Sequence, residues 1–261
     1  MNKVSQPPLY TVAVPTTAGT GSEVTQYAVI TDLHRQYKLT VGSPLIIPRL
    51  AVVDPELTYS LPPALTAATG MDALTHAVES YTNNVYHPLA DLLAEEAIYL
   101  IGRHLRTAVA NGRHVEARRQ LLYASLLAGL AFNYTRLGNV HAMAHPVGGW
   151  FDVPHGVANA ILLPHVMEFN LPACLERTAH IASLLGEPVE GLSLVAAARR
   201  GVEAVRQLAA DVGIPANLRA VGVEATRLEE MVADALKSGN VAVNPRQTTA
   251  ADIEQLFRAA L

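Results

Sequence analysis

The chain has 261 residues, of which half are hydrophobic, and its 19 basic and 23 acidic residues leave a formal net charge of −4 at pH 7. This length suits one large domain or two small ones, with enough apolar residues for a sizeable buried core. The charges are spread along the chain without blocks, which argues against a surface for nucleic acid or anionic membrane and favours a small-molecule partner.

The chain contains one cysteine, Cys174, so an internal disulfide and a thiolate metal cluster are both excluded. This cysteine usage fits a reducing compartment, and we expect the protein in the cytoplasm. The longest apolar stretch, around residues 121–132, is too short to span a bilayer, and the first residues lack the apolar segment of a signal peptide. The sequence therefore predicts a soluble protein that is not exported.

The first part of the chain is predicted to be rich in β-structure. Short runs of β-branched residues, bounded by Gly, Pro and Asp, predict four strands, of which the middle two are candidates for a hairpin: residues 9–14, 27–31, 37–41 and 50–53. No flexible linker follows them, so we expect this part to pack closely on the rest.

From Pro62 onward, Ala- and Leu-rich segments with helical spacing replace the strands. They predict nine helices, near residues 64–82, 88–109, 114–136, 138–149, 156–169, 175–185, 191–212, 225–236 and 249–260. Prolines such as Pro146 and Pro172 lie near proposed helix ends, and Thr249 with Asp252 resembles a capping box.

Asp72 and His76 are the first candidate functional residues. They are four positions apart on a predicted helix, so they share one face, about one turn apart. By itself, such a pair is most often a surface interaction that stabilises a helix. Its neighbours are apolar, however, so the pair is expected to be buried, and a metal would be the strong partner that a buried Asp or His needs.

Three more histidines, His141, His145 and His155, follow within fifteen residues. Each one alone is better explained as a capping or structural residue, but the three together in an apolar segment favour a site. The carboxylate of Asp72 with the three imidazoles of His76, His141 and His155 suits a divalent first-row metal such as Fe(II) or Zn(II) and leaves one coordination position open for a substrate oxygen. A metal-dependent enzyme is therefore the leading hypothesis.

A Gly- and Thr-rich turn, PTTAGTGSE at residues 15–23, follows the first predicted strand. Its N–H and hydroxyl groups can face a phosphate or a ribose. It is equally well explained as a tight surface loop, and it matches neither the P-loop nor the GxGxxG dinucleotide fingerprint.

These segments resemble the iron-containing (group III) alcohol dehydrogenases. The matching segments are PTTAGTGSE at 15–23 and residues 61–79, which contain GMDALTHAVE. HAMAHP and PHGVANA within 141–160 and Asn244-Pro245-Arg246 also match. The resemblance runs from about residue 9 to the C-terminus. It implies a mixed α and β fold that is predominantly α: an all-helical, dehydroquinate synthase-like metal-binding domain at 61–261, preceded at 1–60 by a truncated remnant of an α/β dinucleotide-binding domain.

The resemblance also implies roles for individual residues. The metal ligands of the family fall on Asp72, His76, His141 and His155, and a further active-site histidine falls on His145. The positions that contact the dinucleotide fall on Thr16, Thr17, Thr20, Thr25, Val29 and Lys38, and Phe132 falls on a wall of the substrate pocket.

The implied reaction moves hydride between a small alcohol or aldehyde and NAD or NADP. Fe(2+), or alternatively Zn(2+), would act as a Lewis acid on the alcohol oxygen. Asp72 would offset part of the metal charge, and His145 would relay the proton. The partners implied are the small substrate and a second copy of the chain in a homo-oligomer, expected to be a dimer, with no nucleic acid and no membrane.

The chain departs from the family at its start, because the glycine-rich pyrophosphate loop and the acidic residue that reads the ribose have no counterpart here. The nucleotide site is therefore expected to be weakened or incomplete. Two alternatives follow: a non-catalytic metal-binding remnant, or a half-enzyme whose cofactor site another chain completes at an exposed sheet edge.

Overall fold

The structure is a computed structural model that describes residues 4–32 and 37–261. It begins with two pairs of short strands. Strand β1 (Val12–Ala13) pairs in parallel with β4 (Leu50–Ala51), and β2 (Tyr27–Asp32) forms an antiparallel hairpin with β3 (Tyr37–Gly42). The predicted strands and the hairpin are confirmed, although β1 and β4 are shorter than the apolar runs that predicted them.

The rest of the described chain is helical, with short 3-10 turns between helices. The helices are α1 (Pro63–Thr82), α2 (Pro88–Ala110), α3 (Val115–Thr135), α4 (Asn139–Phe151), α5 (His155–Leu184), α6 (Leu194–Asp211), α7 (Leu228–Leu236) and α8 (Ala250–Ala260). The predominantly helical fold expected from the sequence is confirmed.

Two of the nine predicted helices are one element. The segments predicted at 156–169 and 175–185 both belong to α5, which is bent at Cys174, where the backbone is not helical (φ −146°, ψ 39°). Pro172 lies just before this bend, and a proline inside a helix removes a hydrogen bond and clashes with the preceding turn. The proline thus kinks the helix instead of ending it.

Pro146 also differs from its prediction, because it lies inside α4 and not at the end of that helix. The residues around it are almost all buried, so tertiary packing holds the helix together although one backbone hydrogen bond is lost. The capping box at the start of α8 is confirmed: Thr249 Oγ1 accepts from the Asp252 backbone N–H, and Asp252 accepts from the Thr249 N–H.

Helix α1 is the centre of the helical body and contacts α2, α3 and α5. Every residue from 70 to 82 is buried, so the helix has no solvated face along this stretch. The N-terminal end of α5 approaches α1 closely, because a Cβ atom on Gly156 would lie 2.3 Å from the carbonyl oxygen of Ala68. This close packing brings the start of α5 beside Asp72.

The Gly/Thr-rich turn lies against α3. Gly21 has a φ of +60°, and a Cβ atom there would lie 2.6 Å from Cα of Gly129 on α3. Two glycines thus allow the turn to approach the helical body. Within the described ranges, none of the helices is both long and apolar enough to cross a membrane.

Candidate metal centre

Three helices bring together three of the four residues that the sequence singled out as metal ligands. Asp72 on α1, His141 on α4 and His155 at the start of α5 each offer one ligand atom, and these atoms lie within 4.8 Å of one another. Asp72 and His141 are buried, and His155 is half-buried. Carboxylate and imidazole donors at this separation fit a divalent first-row metal ion.

His76, the fourth predicted ligand, lies next to this group. Its ring stacks on the ring of His141 with centroids 4.6 Å apart, and its Nδ1 atom is 3.2 Å from the carbonyl oxygen of Gly19. A carbonyl only accepts, so Nδ1 donates this bond, which leaves Nε2 with a lone pair that can bind a metal. His76 is outside the set of three whose ligand atoms converge, so its assignment as a ligand stays a prediction.

Glu79 belongs to the centre but was not among the residues predicted from the sequence. Its carboxylate accepts from the backbone N–H of Val140 at 2.6 Å, and its Oε2 lies 2.6 Å from Nδ1 of His141. A carboxylate on the outer nitrogen of a histidine orients the ring and makes its inner nitrogen a better metal ligand. A signal was present, because positions 72, 76 and 79 follow one helical face.

Asn159, one turn after His155, is the second residue missed. Its Nδ2 atom lies 2.6 Å from Oδ1 of Asp72 and 3.1 Å from Nε2 of both His141 and His155. One amide nitrogen therefore reaches all three candidate ligand atoms. The oxygen of Asp72 and the two imidazole nitrogens thus face a single point, which is the arrangement that a cation requires.

Burial controls the protonation of this centre. Desolvation, together with the neighbouring histidines, lowers the pKa of His141 well below its usual range, and desolvation also lowers the pKa of His76. Imidazole binds metal in its neutral form, so both shifts favour metal binding. Burial raises the pKa of Glu79 to about 8, and hydrogen bonds from the backbone at the start of α4 oppose that rise.

The centre opens onto a cavity of about 620 Å³. Phe132 lines it, with its ring 4.7 Å from the ring of His76, and so does His145, whose ring lies 5.6 Å from that of His155. The front part of the chain contributes three of the residues predicted to contact the dinucleotide, which are Thr20, Thr25 and Val29.

Two other predicted cofactor residues, Thr16 and Thr17, are not brought into this cavity. Thr16 is exposed and Thr17 is half-buried, and neither belongs to the lining. The backbone of Lys38 pairs with Thr31 in the hairpin, whereas its side chain lies outside what the structure describes.

The structure thus places a buried Asp/His cluster, a candidate metal site, where a helical body meets a short β-containing front, with a cavity beside it. The family model for the C-terminal part of the Fe-containing alcohol dehydrogenases matches residues 66–261, and the model described as iron-containing alcohol dehydrogenase matches residues 1–55. The chain therefore belongs to the iron-containing alcohol dehydrogenase family, as its motifs indicated.

Individual proteins agree with this assignment. A 1,3-propanediol dehydrogenase from Klebsiella pneumoniae is 50% identical over 97% of the chain and 65% of its own length. An NAD-dependent methanol dehydrogenase from Bacillus methanolicus is 46% identical over 100% of the chain and 68% of its own length. The crystal structure of a 1,3-propanediol oxidoreductase matches with a TM-score of 0.96 and 49% identity, covering 99% of this chain and 68% of that one. The chain thus spans about two thirds of the length of these relatives.

Proposed function

We propose that this chain is a metal-dependent alcohol dehydrogenase or aldehyde reductase that transfers hydride between a small alcohol and NAD or NADP. The observation that carries the proposal is the convergence of Asp72, His141 and His155 on one point beside a cavity that Thr20 and Thr25 also line. Two relatives support it, since one is an NAD-dependent methanol dehydrogenase and the other a 1,3-propanediol dehydrogenase.

The ligands would be Asp72, His76, His141 and His155, and Fe(2+) or Zn(2+) would be the ion. Such an ion supplies Lewis-acid chemistry when bound. The carboxylate of Asp72 offsets part of its charge, and Glu79 keeps the outer nitrogen of His141 engaged so that the inner nitrogen faces the centre.

Other residues would handle the proton and the two organic reactants. His145 is half-buried and lines the cavity, so it can pass a proton between a bound substrate and solvent. Phe132 would exclude water from the apolar side of the substrate. Thr20, Thr25 and Val29 would contact the dinucleotide, which divides the work between a cofactor part at 1–60 and a metal-binding part at 61–261.

The test is an activity assay on protein loaded with Fe(2+) or Zn(2+), using short primary alcohols or aldehydes with NAD(H) and NADP(H). We expect turnover with at least one cofactor and none in Asp72→Ala, which loses the carboxylate ligand. Absence of turnover with both cofactors, at full metal occupancy, would refute the proposal and favour the non-catalytic metal-binding alternative.

One observation favours the alternative in which another chain completes the cofactor site. The parallel pair β1 and β4 carries exposed apolar side chains at Val12 (48% exposed) and Leu50 (48%), and Leu9 (92%) and Tyr10 (73%) just before β1 are also exposed. Parallel sheets are normally covered on both faces, so these strands fit a larger sheet, which a second subunit or another segment would supply.

Two measurements separate these alternatives. Calorimetric titration with NADH reports whether the nucleotide site works in this chain, and tight binding would argue against a non-catalytic module. Light scattering reports the oligomeric state, for which we expect a dimer or larger assembly. A strictly monomeric and fully active protein would contradict the requirement for a second chain.

A further inference from the structure

Arg136 lies at the end of α3, one turn after Phe132, and lines the cavity that holds the candidate metal ligands. Its backbone has a φ of +70° and a ψ of −164°, a region that residues other than glycine rarely adopt. Such strain persists only where the surrounding structure imposes it, and it is concentrated at functional sites. The fold thus holds this side chain at an energetic cost.

The guanidinium group occupies space that Gly239 leaves open. A Cβ atom on Gly239 would lie 2.5 Å from Nη2 of Arg136 and 3.3 Å from its Cζ. No carboxylate or carbonyl of residues 4–32 or 37–261 accepts a hydrogen bond from this guanidinium. Five N–H donors with a fixed positive charge therefore remain available beside the cavity.

The other charges on the same side of the cavity are already engaged with one another. Asp234 accepts from Nζ of Lys237 at 2.7 Å and from Nε1 of Trp150 at 3.1 Å. The carboxylate of Asp234 is thus largely satisfied. Arg136 contributes the positive charge that a ligand can use.

We propose that Arg136 binds an anionic group of the substrate, so that the preferred alcohols are short hydroxy acids or the corresponding aldehyde acids. This inference rests on the proposed function. Phe132, whose ring centroid lies 4.7 Å from that of His76, and Arg136, the residue that caps the end of α3, line the same cavity as the candidate ligands. We therefore place the anionic group on the Arg136 side of this cavity, several carbon atoms from the reacting one.

The cavity suits the middle of such a molecule. Phe132, Leu137 and Val29 line it with apolar surface, which a methylene chain would cover. An ionised carboxylate at the far end would meet the guanidinium, where charge-assisted bonds are about twice as strong as neutral ones.

The test measures binding to the metal-loaded protein by calorimetry, without turnover. The probes are 4-hydroxybutyrate against 1-butanol and 6-hydroxyhexanoate against 1-hexanol. We expect the acid of at least one pair to bind about tenfold or more tightly than its neutral partner, since a charged hydrogen bond contributes that much. Arg136→Gln should abolish this preference, and Arg136→Lys should retain part of it.

Arg136→Gly separates this role from a structural one. Glycine relieves the positive φ, so the melting temperature should rise, while the preference for the acid disappears and binding of the neutral alcohol is unchanged. A variant that is more stable but has lost the preference cannot be explained by unfolding.

Three results would overturn the proposal. The first is that the parent protein binds neither acid more tightly than its neutral partner. The second is that Arg136→Gln keeps the preference for the acid and binds NADH normally, and the third is that it keeps the preference but binds NADH more weakly. The second result would mean that the carboxylate binds elsewhere in the protein. The third would mean that Arg136 binds a phosphate of the dinucleotide instead. If hydroxy acids bind through Arg136 but are not oxidised, the proposed function fails while this inference stands.

Discussion

At the scale of the residue, Glu79 connects the candidate metal centre to the backbone that positions it. Its two carboxylate oxygens hold the N–H of Val140 and the ring of His141, so one side chain both stabilises the start of α4 and orients a ligand. Gly138 makes room for it, because a Cβ atom there would lie 2.9 Å from Oε1 of Glu79. Metal affinity should therefore depend on a residue that is not itself a ligand.

Replacing Glu79 with Gln should weaken metal binding about 10- to 100-fold, because the amide holds the imidazole less strongly than the carboxylate does. Competition with a chromogenic chelator measures this affinity without reference to activity. An unchanged affinity in Glu79→Gln would show that the carboxylate does not act on the metal through His141.

Glu23→Gln is the matched control. Glu23 is also a buried glutamate whose pKa burial raises, but it lines a separate cavity beside Asn133 and Tyr134. Loss of its charge should leave metal affinity unchanged within about twofold, since its side chain lines a different cavity from the one that the candidate ligands line. Equal losses in both variants would point to a general effect of removing a buried acid.

Cys174 provides a residue-scale test of the bend in α5. Its thiol is buried, its Sγ atom lies 3.2 Å from the carbonyl oxygen of Asn170, and burial raises its pKa. Because the thiolate is the reactive form, Cys174 should react with a disulfide reagent slowly in native protein and rapidly in denaturant. Fast labelling under native conditions would contradict the packing around this bend.

At the scale of the element, the metal centre depends on how α1, α4 and α5 approach one another. No single helix carries the three converging ligands, so their separation is set by helix packing. The contact of Gly156 with Ala68 is the closest part of this arrangement near Asp72.

Gly156→Ala should destabilise the protein by about 1–3 kcal/mol, because the new methyl group would collide with backbone that cannot move freely. The same shift should separate His155 from Asp72 and lower metal affinity. Denaturant unfolding and chelator competition measure the two effects.

Gly102→Ala is the comparison for this substitution. Gly102 is also helical, but the nearest atom to a new Cβ is Cδ2 of the Leu185 side chain, at 3.0 Å, which can shift more easily than backbone. We expect a smaller loss of stability, partly offset by the better helix propensity of Ala, and no change in metal affinity. Normal stability and normal metal affinity in Gly156→Ala would show that α1 and α5 can move apart without loss of stability.

At the scale of the whole molecule, the candidate ligands lie on three helices, so metal binding is expected to couple to folding. An ion that binds the folded chain alone stabilises it by about 2.7 kcal/mol at 100 times its Kd. Saturating metal should therefore raise the melting temperature, and a chelator should lower it. Calorimetric scans with and without chelator measure this difference.

Asp72→Ala serves as the control for that experiment, because it lacks the carboxylate ligand while the surrounding helices remain. Its melting temperature should be insensitive to chelator. If the parent protein also showed no response, the convergence of Asp72, His141 and His155 would not be a metal site.

Much of this protein was predictable from sequence because the relevant signals are local. Helical periodicity placed α1 and α2 within a residue or two of their observed ends, and the apolar neighbours of Asp72 and His76 indicated that α1 is buried. The motifs around the ligands identified the family, which the comparisons confirm.

The tertiary structure decided what local patterns do not encode. Glu79 and His141 are 62 positions apart, and Asn159 reaches Asp72 across 87, so neither contact follows from helical spacing within a segment. Pro146 and Pro172 lie inside helices because packing outweighs a lost backbone bond. The sequence by itself determined the elements, the candidate ligands and the family. The hydrogen-bond partners that orient those ligands, and the position of Arg136 in the lining of the same cavity, depend on which helix faces pack together, and this is decided by the tertiary structure.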